Sequence, residues 1–142
     1  MTNWIKPKWE DELDEFQRVE GETGINIPNL KLCFDHGRAM TLTDDVWAKL
    51  ENTESYTVED IQEVSDLLDT YGKNGIRILV GFTLGSAMPM PIIMQRGSGY
   101  ELVAGNSRLC IAKVWGVDPT VWVMQVPDTM QEGIYGASYT DM

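Results

Sequence analysis

Residues 100–116, YELVAGNSRLCIAKVWG, decide the expected fold of this chain. Residues 100–103 have the composition of a strand, and Ala104-Gly105 has that of a sharp turn. Residues 107–115 then have the composition of a mostly apolar helix, which ends at Gly116. A strand that enters a helix through glycine presents free backbone N–H groups, and the helix dipole favours an anion at the same place. The stretch therefore predicts a strand–turn–helix unit with an anion site at the turn.

Four consecutive residues of this turn are the candidate phosphate-binding residues. Gly105 allows the backbone to approach a ligand closely, and Asn106 or Ser107 can cap the helix. Arg108 lies in the first helical turn, where its guanidinium group offers a planar pair of donors that matches phosphate oxygens. The alternative is that Arg108 is an exposed helix residue and that Gly105 serves only the turn.

Length and composition predict one domain over residues 1–142. Hydrophobic residues make up 43% of the chain and charged residues 23%, which is ordinary for a globular protein. No stretch reaches the roughly 18 apolar residues that span a bilayer, and the N-terminus has no signal-peptide pattern. We therefore expect a cytoplasmic protein that does not bind membranes.

The cysteine and histidine content argues against a zinc site. Cys33 and Cys110 lie far apart and form no CxxC motif, and His36 is the single histidine. We expect both cysteines to be reduced core residues, since no basic neighbour lowers a thiol pKa. His36 is expected in a surface turn.

The net charge of −11 arises in the first half of the chain. Residues 1–70 carry 17 acidic and 6 basic residues, whereas residues 71–142 carry 5 of each. A protein that binds DNA or RNA through the phosphate backbone has a basic face, so unaided nucleic-acid binding is not expected. The acidic half is either a solvated surface or a surface that docks on a basic protein partner.

Three helices are expected in the acidic half. Residues 7–20 place apolar side chains at helical spacing and acidic ones on the outer face, with Gly21 as the end. A second helix is expected from Thr43 to about Asn52. A third is expected over residues 57–71, which begin with the capping-box-like sequence TVED.

The other segments favour strands and turns. Residues 22–40 are expected to form a loop with a short strand, and residues 76–82 a central strand because they are rich in β-branched residues. Further strands are expected after Pro91 and over residues 120–126, with a hairpin turn at residues 96–99.

The order of elements over residues 56–126 resembles that of the ParB/sulfiredoxin superfamily. The pattern is a Pro-Ile strand, a Tyr-x-Leu-Val-Ala-Gly strand end, an x-x-Arg helix start, a Gly and a Val-x-Val strand. In this chain these elements are Pro91-Ile92-Ile93, Tyr100 to Gly105, Asn106-Ser107-Arg108, Gly116, and Val121 to Val126. The match covers about half of the chain.

The resemblance implies an α+β fold, a small mixed sheet with packed helices. In it, a ParB-like core over residues 56–126 follows an acidic, mainly helical part over residues 1–55 and precedes an irregular tail over residues 127–142. The resemblance also implies that the Gly-x-x-Arg turn holds the phosphates of a nucleoside di- or triphosphate, with Mg²⁺ as a cofactor. Small stand-alone proteins of this kind favour a phage origin, which would place the protein in the host cytoplasm.

The chain departs from the family pattern at positions that matter for activity. ParB partition proteins carry further arginines where this chain has Ser107 and Cys110. Sulfiredoxins carry a reactive cysteine where it has Asn106. We therefore expect neither chromosome partition nor reduction of sulfinic acids, and the segment 76–88 has no clear place in the family pattern.

Metal-assisted chemistry would need carboxylates near the phosphates. Glu101 is the candidate closest to the turn in sequence, and Asp44, Asp45 and Glu51 would approach only if the second helix covers the cleft. No residue is assigned as a catalytic base or as a metal ligand.

Two hypotheses of function follow. In the first, the chain is a nucleotide-binding protein, a phosphoryl-transfer enzyme or a nuclease that holds phosphates at residues 105–108. In the second, it is a non-catalytic phage or mobile-element regulator whose acidic helices at 9–20 and 43–69 dock on a basic host partner. A single arginine in the motif weakens the case for catalysis without excluding binding.

Overall fold

The computed structural model describes residues 3–43, 50–51, 77–115 and 118–127. Within these ranges the chain has the α+β fold that the sequence predicts, with a five-stranded mixed sheet, a separate two-stranded parallel sheet and helices. In chain order the elements are β1 Asn3–Ile5, a 3-10 turn Trp9–Glu12, α1 Leu13–Thr23, α2 Ile27–Asp35, β2 Arg38–Thr41, β3 Leu50–Glu51, α3 (77–84), β4 Ala87–Pro89, β5 Ile92–Arg96, β6 Gly99–Ala104, α4 Asn106–Trp115 and β7 Thr120–Gln125.

The larger sheet has the strand order β2-β7-β5-β6-β3, with β5 at its centre. β5 is antiparallel to β6 and parallel to β7. The edge strands differ, because β2 runs antiparallel to β7 and β3 runs parallel to β6. The predicted strand after Pro91, the hairpin at residues 96–99 and the strand over residues 120–126 are therefore confirmed, the last ending at Gln125.

Two hydrophobic cores lie on opposite faces of this sheet. The first contains side chains of α3 and α4, and the second contains side chains of α1 and α2. Alternation along β7 shows the division: Val121 and Val123 belong to the first core, Trp122 and Met124 to the second. A strand covered on both faces needs apolar residues at every position, which accounts for the run at 121–124.

The first predicted helix is confirmed as a 3-10 turn followed by α1, but its predicted end is wrong. Gly21 lies inside α1, which continues to Thr23. Gly24 ends the helix with φ of 80° and donates its N–H to the carbonyl of Glu20 at 2.9 Å. Only the second of the two glycines has the left-handed conformation typical of a helix C-cap.

The prediction of a loop over residues 22–40 is wrong where α2 forms. The side chain of Asn26 accepts the N–H of Asn29 at 3.0 Å and so caps the helix. Pro28 lies in the first turn, where proline costs no helical hydrogen bond. Proline here is therefore a helix-start signal, and the strand of this segment, β2, begins only after the helix, at Arg38.

The prediction of a central strand over residues 76–82 is also wrong, because residues 77–84 are helical. Ile78 and Phe82, four residues apart, are buried in the first core, while Val80 is 47% and Leu84 74% exposed. This is the periodicity of a helix with one buried face, and it overrides the β-branched composition.

The second and third predicted helices lie mostly outside the described residues, which omit 44–49 and 52–76. Where the second one was expected to end, Leu50–Glu51 is instead a strand paired with Tyr100 and Glu101 of β6. The predicted irregular tail lies outside the described residues from 128 onward.

Trp122 joins β7 to α2 through one buried hydrogen bond. Its Nε1 donates to the carbonyl oxygen of Phe34 at 3.0 Å. Gly37 lies against the indole, since a Cβ there would lie 2.4 Å from Trp122 Nε1. This position therefore admits no side chain while the indole keeps its place.

We predict that Gly37→Ala lowers the free energy of unfolding by roughly 1–3 kcal/mol, because the new methyl group displaces the indole from Phe34. Gly21→Ala is the matched control: apart from its own helix backbone, no atom lies within 4 Å of the place that the methyl group would take. Because Gly21 is inside a helix, that substitution should stabilise the protein by about 0.5–1 kcal/mol. Urea unfolding followed by circular dichroism measures both; equal effects would contradict the packing of Trp122 on Gly37.

Candidate functional site

The turn between β6 and α4 borders an open cleft of about 450 Å³. Its walls come from α3, β4 with the residue before it, and the start of α4. The lining residues are Arg77, Ile78, Val80, Gly81, Ser86, Ala87, Met88, Pro89, Ser107 and Arg108. Among them are two guanidinium groups and two hydroxyl groups, and none of the described residues that line it carries a carboxylate. The cleft is thus chemically suited to an anion.

The N-terminus of α4 lies at this cleft. The N–H of Leu109 donates to the carbonyl of Gly105 at 3.0 Å, which closes the first helical turn. N–H groups of that turn, such as those of Ser107 and Arg108, have no acceptor within the helix. The first turn holds no acidic residue, so the positive end of the helix dipole is not offset from within α4.

Gly105 is required by its positive φ and by the close approach of Pro91. It adopts φ of +96°, and a Cβ there would lie 2.7 Å from Pro91 Cα and 3.0 Å from Arg108 Nη2. The sequence predicted that this glycine brings the backbone close to a ligand. In the structure the glycine brings it close to Pro91, the residue before β5, and to the guanidinium of Arg108.

Arg108 is largely buried, with 17% of its side chain exposed. Its Nε and Nη2 are fully buried and have no hydrogen-bond acceptor among the described residues. Oε1 of Glu12, a residue of the 3-10 turn, lies 3.5 Å from Nη2. Burial lowers the pKa of the Arg108 guanidinium, and the charge of Glu12 acts in the opposite direction.

Glu12 is enclosed to a similar degree, with 18% of its side chain exposed. Burial raises the pKa of its carboxyl group, the charge of Arg108 lowers it, and the nearby charge of Glu15 raises it again. The two side chains form a partly buried ion pair whose separation of 3.5 Å is longer than the 2.7–2.9 Å or so of a tight charged hydrogen bond.

The four predicted phosphate-binding residues occupy different places. Ser107 and Arg108 line the cleft, whereas Gly105 and Asn106 do not. Asn106 is 9% exposed and lies at the first position of α4. Gly105 acts instead through its conformation, which places the start of the helix.

Glu101, the weak catalytic candidate, does not line the cleft. Its Oε1 accepts a hydrogen bond from Nε of Arg96 at 3.2 Å and a second from Nη2 of the same residue. Arg96 is its neighbour across the β5–β6 hairpin. Of the other carboxylate candidates, Asp44 and Asp45 lie outside the described residues, and β3 contains Glu51.

Sequence reasoning missed three residues of this region: Glu12, Arg77 and Ser86. Glu12 was one of several acidic residues on an expected solvated face, and no local pattern separates it from its neighbours. Arg77 was placed in a strand, so its position on a cleft wall did not follow. The apolar residues Ile78 and Phe82 are four positions apart, and this helical spacing is the sequence signal that indicates α3.

Cys33 and His36 have the structural roles expected of them. Cys33 is buried in the second core, and burial raises the pKa of its thiol to about 11. His36 is exposed at the C-terminal end of α2. Among the described residues, no group of three or more His, Cys, Asp or Glu side chains is placed to hold a metal ion. In the same part of the chain, no helix has the length and apolar character needed to cross a membrane.

Comparison of the chain with protein-family models, with curated proteins and with solved structures finds no match. Membership of the ParB/sulfiredoxin superfamily therefore stays a prediction from the sequence motif.

We predict that Gly105→Ala costs roughly 2–4 kcal/mol of stability, because it adds a contact with Pro91 to the strain of a positive φ. Gly97→Ala is the control that separates the two effects. Gly97 has φ of +57° and open space where a Cβ would lie, so strain alone should cost about 1 kcal/mol there. Chemical unfolding of both variants measures the difference, and equal losses would show that the contact with Pro91 does not matter.

Proposed function

We propose that this protein binds a phosphate-bearing ligand, a nucleoside di- or triphosphate, in the cleft beside the start of α4. One observation carries the proposal. Arg108 lines the cleft as a largely buried cation at the positive end of a helix, with two nitrogen atoms that find no acceptor among the described residues.

A buried cation in that position is unfavourable by itself. The helix dipole disfavours a positive charge in the first turn, and burial removes the water that would solvate the guanidinium. Glu12 offsets the charge only in part, because it approaches Nη2 to 3.5 Å. An anion in the cleft would add to the compensation of this charge, and a phosphate group matches both the guanidinium and the N–H groups of Ser107 and Arg108.

The mixed lining of the cleft favours a ligand with an apolar part as well as a charge. The side chains of Ile78, Val80 and Met88 are apolar, whereas Ser86 and Ser107 offer hydroxyl groups. The volume of about 450 Å³ lies in the range of roughly 300–1,000 Å³ typical of small-molecule sites. A nucleotide combines a flat ring system with phosphates and suits such a lining.

The proposal is one of binding. Mg²⁺ would enter with the phosphates, and the described residues that line the cleft offer it no carboxylate. Phosphoryl transfer and nuclease activity stay hypotheses from the resemblance, without an assigned base.

A second candidate function is supported by the acidic surface of the 3-10 turn and α1. Glu10, Asp11 and Asp14 are exposed, and the described part of the chain places no basic group within 4.0 Å of them. Such a surface suits docking on a basic protein partner, as in a non-catalytic phage or mobile-element regulator. Capture of a host protein that is released by salt would support this function.

We predict that ADP, ATP or CTP with Mg²⁺ raises the melting temperature by several degrees. A ligand at one hundred times its Kd stabilises a protein by about 2.7 kcal/mol. Arg108→Ala should abolish the shift. Arg96→Ala removes the same charge from the hairpin, where Arg96 pairs with Glu101, and should keep the shift. Differential scanning fluorimetry, with each variant referred to its own unliganded melting temperature, provides the measurement.

Two results of this experiment would contradict the proposal. One is the absence of a shift with any of these nucleotides at millimolar concentration. The other is an equal loss of the shift in both arginine variants, which would point to unspecific attraction by positive charge.

A further inference from the structure

Glu12 is the one carboxylate that the described residues place within 4.0 Å of Arg108. It belongs to the 3-10 turn, is not part of the cleft wall, and lies in the acidic part of the chain. We propose that Glu12 is an internal counter-ion that competes with the bound phosphate for the charge of Arg108, and so sets the affinity of the cleft for anions. This inference rests on the proposed function, since it concerns the regulation of the same site.

Competition follows from the placement of the three charges. Glu12 and a phosphate in the cleft would both lie near one guanidinium group in a partly buried place, where charges are screened less than in water. Two anions beside one cation repel each other, and each therefore weakens the net attraction of the other to the cation. The separation of 3.5 Å leaves Nε and Nη2 without an acceptor among the described residues, so Glu12 does not saturate the guanidinium.

The same contact has a different effect on the free protein. Without Glu12, Arg108 would be a buried cation with no neighbouring anion among the described residues, at the unfavourable end of α4. Glu12 therefore stabilises the free protein and weakens ligand binding. Its removal should lower stability and raise affinity together.

This pair of changes separates the proposal from a purely structural role. If Glu12 only orients Arg108, its removal lowers both stability and affinity, because the guanidinium is no longer held at the cleft. The other charged neighbours of Glu12 are Asp11 and Glu15. Glu15 pairs with Arg18 at 3.1 Å, so its charge is already compensated.

The experiment is isothermal titration calorimetry with inorganic pyrophosphate at low ionic strength. Glu12→Gln keeps the size of the side chain and removes its charge. Asp14→Asn removes one charge from an exposed position of α1 and controls for the net charge of the protein. Arg108→Ala tests whether pyrophosphate binds at the cleft.

We expect Glu12→Gln to bind pyrophosphate about tenfold more tightly than the wild type, because a nearby negative charge that repels the ligand is removed and solvent screens part of that repulsion. Asp14→Asn should stay within about twofold of the wild type, and Arg108→Ala should not bind. The gain in Glu12→Gln should shrink as salt is added.

The outcomes distinguish the two claims. If the wild type binds, Arg108→Ala does not, and Glu12→Gln binds no more tightly than Asp14→Asn, the inference is overturned and the proposed function stands. If neither the wild type nor Glu12→Gln binds pyrophosphate, both fail. Should Glu12→Gln not fold, Glu12→Asp keeps the charge but draws it back from Arg108. That variant should gain about two- to threefold in affinity, and a loss would overturn the inference.

Discussion

The burial of one positive charge at the start of α4 is the constraint on which the candidate site depends. Glycine at position 105 leaves room for Pro91, the residue before β5, and for the guanidinium of Arg108, since a Cβ there would lie 2.7 Å from Pro91 Cα and 3.0 Å from Arg108 Nη2. A single carboxylate among the described residues, that of Glu12, lies 3.5 Å away. Since the helix dipole adds to the positive potential, this point of the fold favours an anion.

The sheet brings the parts of this arrangement together from its two faces. Glu12 comes immediately before α1, which packs in the second core, and Arg18 of the same helix donates to the carbonyl of Val103 in β6 at 2.9 Å. α3, whose residues line the cleft, packs in the first core. The ion pair of Glu12 and Arg108 therefore links the acidic part of the chain to the cleft, although the two parts lie far apart in sequence.

The elements that the sequence predicts correctly are those that depend on the pattern of neighbouring residues. The strand, turn and helix of residues 100–115 follow from alternation, one glycine and helical spacing, and they form as expected. The sequence predicted a loop around Pro28 and a strand over residues 76–82, but α2 and α3 are helices. Burial against the sheet decides between helix and strand at these positions. Glu12 was beyond prediction for another reason: its contact with Arg108 depends on how α1 packs, and nothing in an acidic run marks the member that becomes buried.

The claim at the centre of this account is that phosphates bind beside Arg108. Nuclear magnetic resonance of ¹⁵N-labelled protein titrated with ADP and Mg²⁺ tests it at atomic level. The account predicts the largest shifts at the backbone N–H groups of Ser107 and Arg108 and at the Nε–H of Arg108, with saturation at one equivalent. Unchanged signals from these groups, or larger shifts in the hairpin around Arg96, would contradict it.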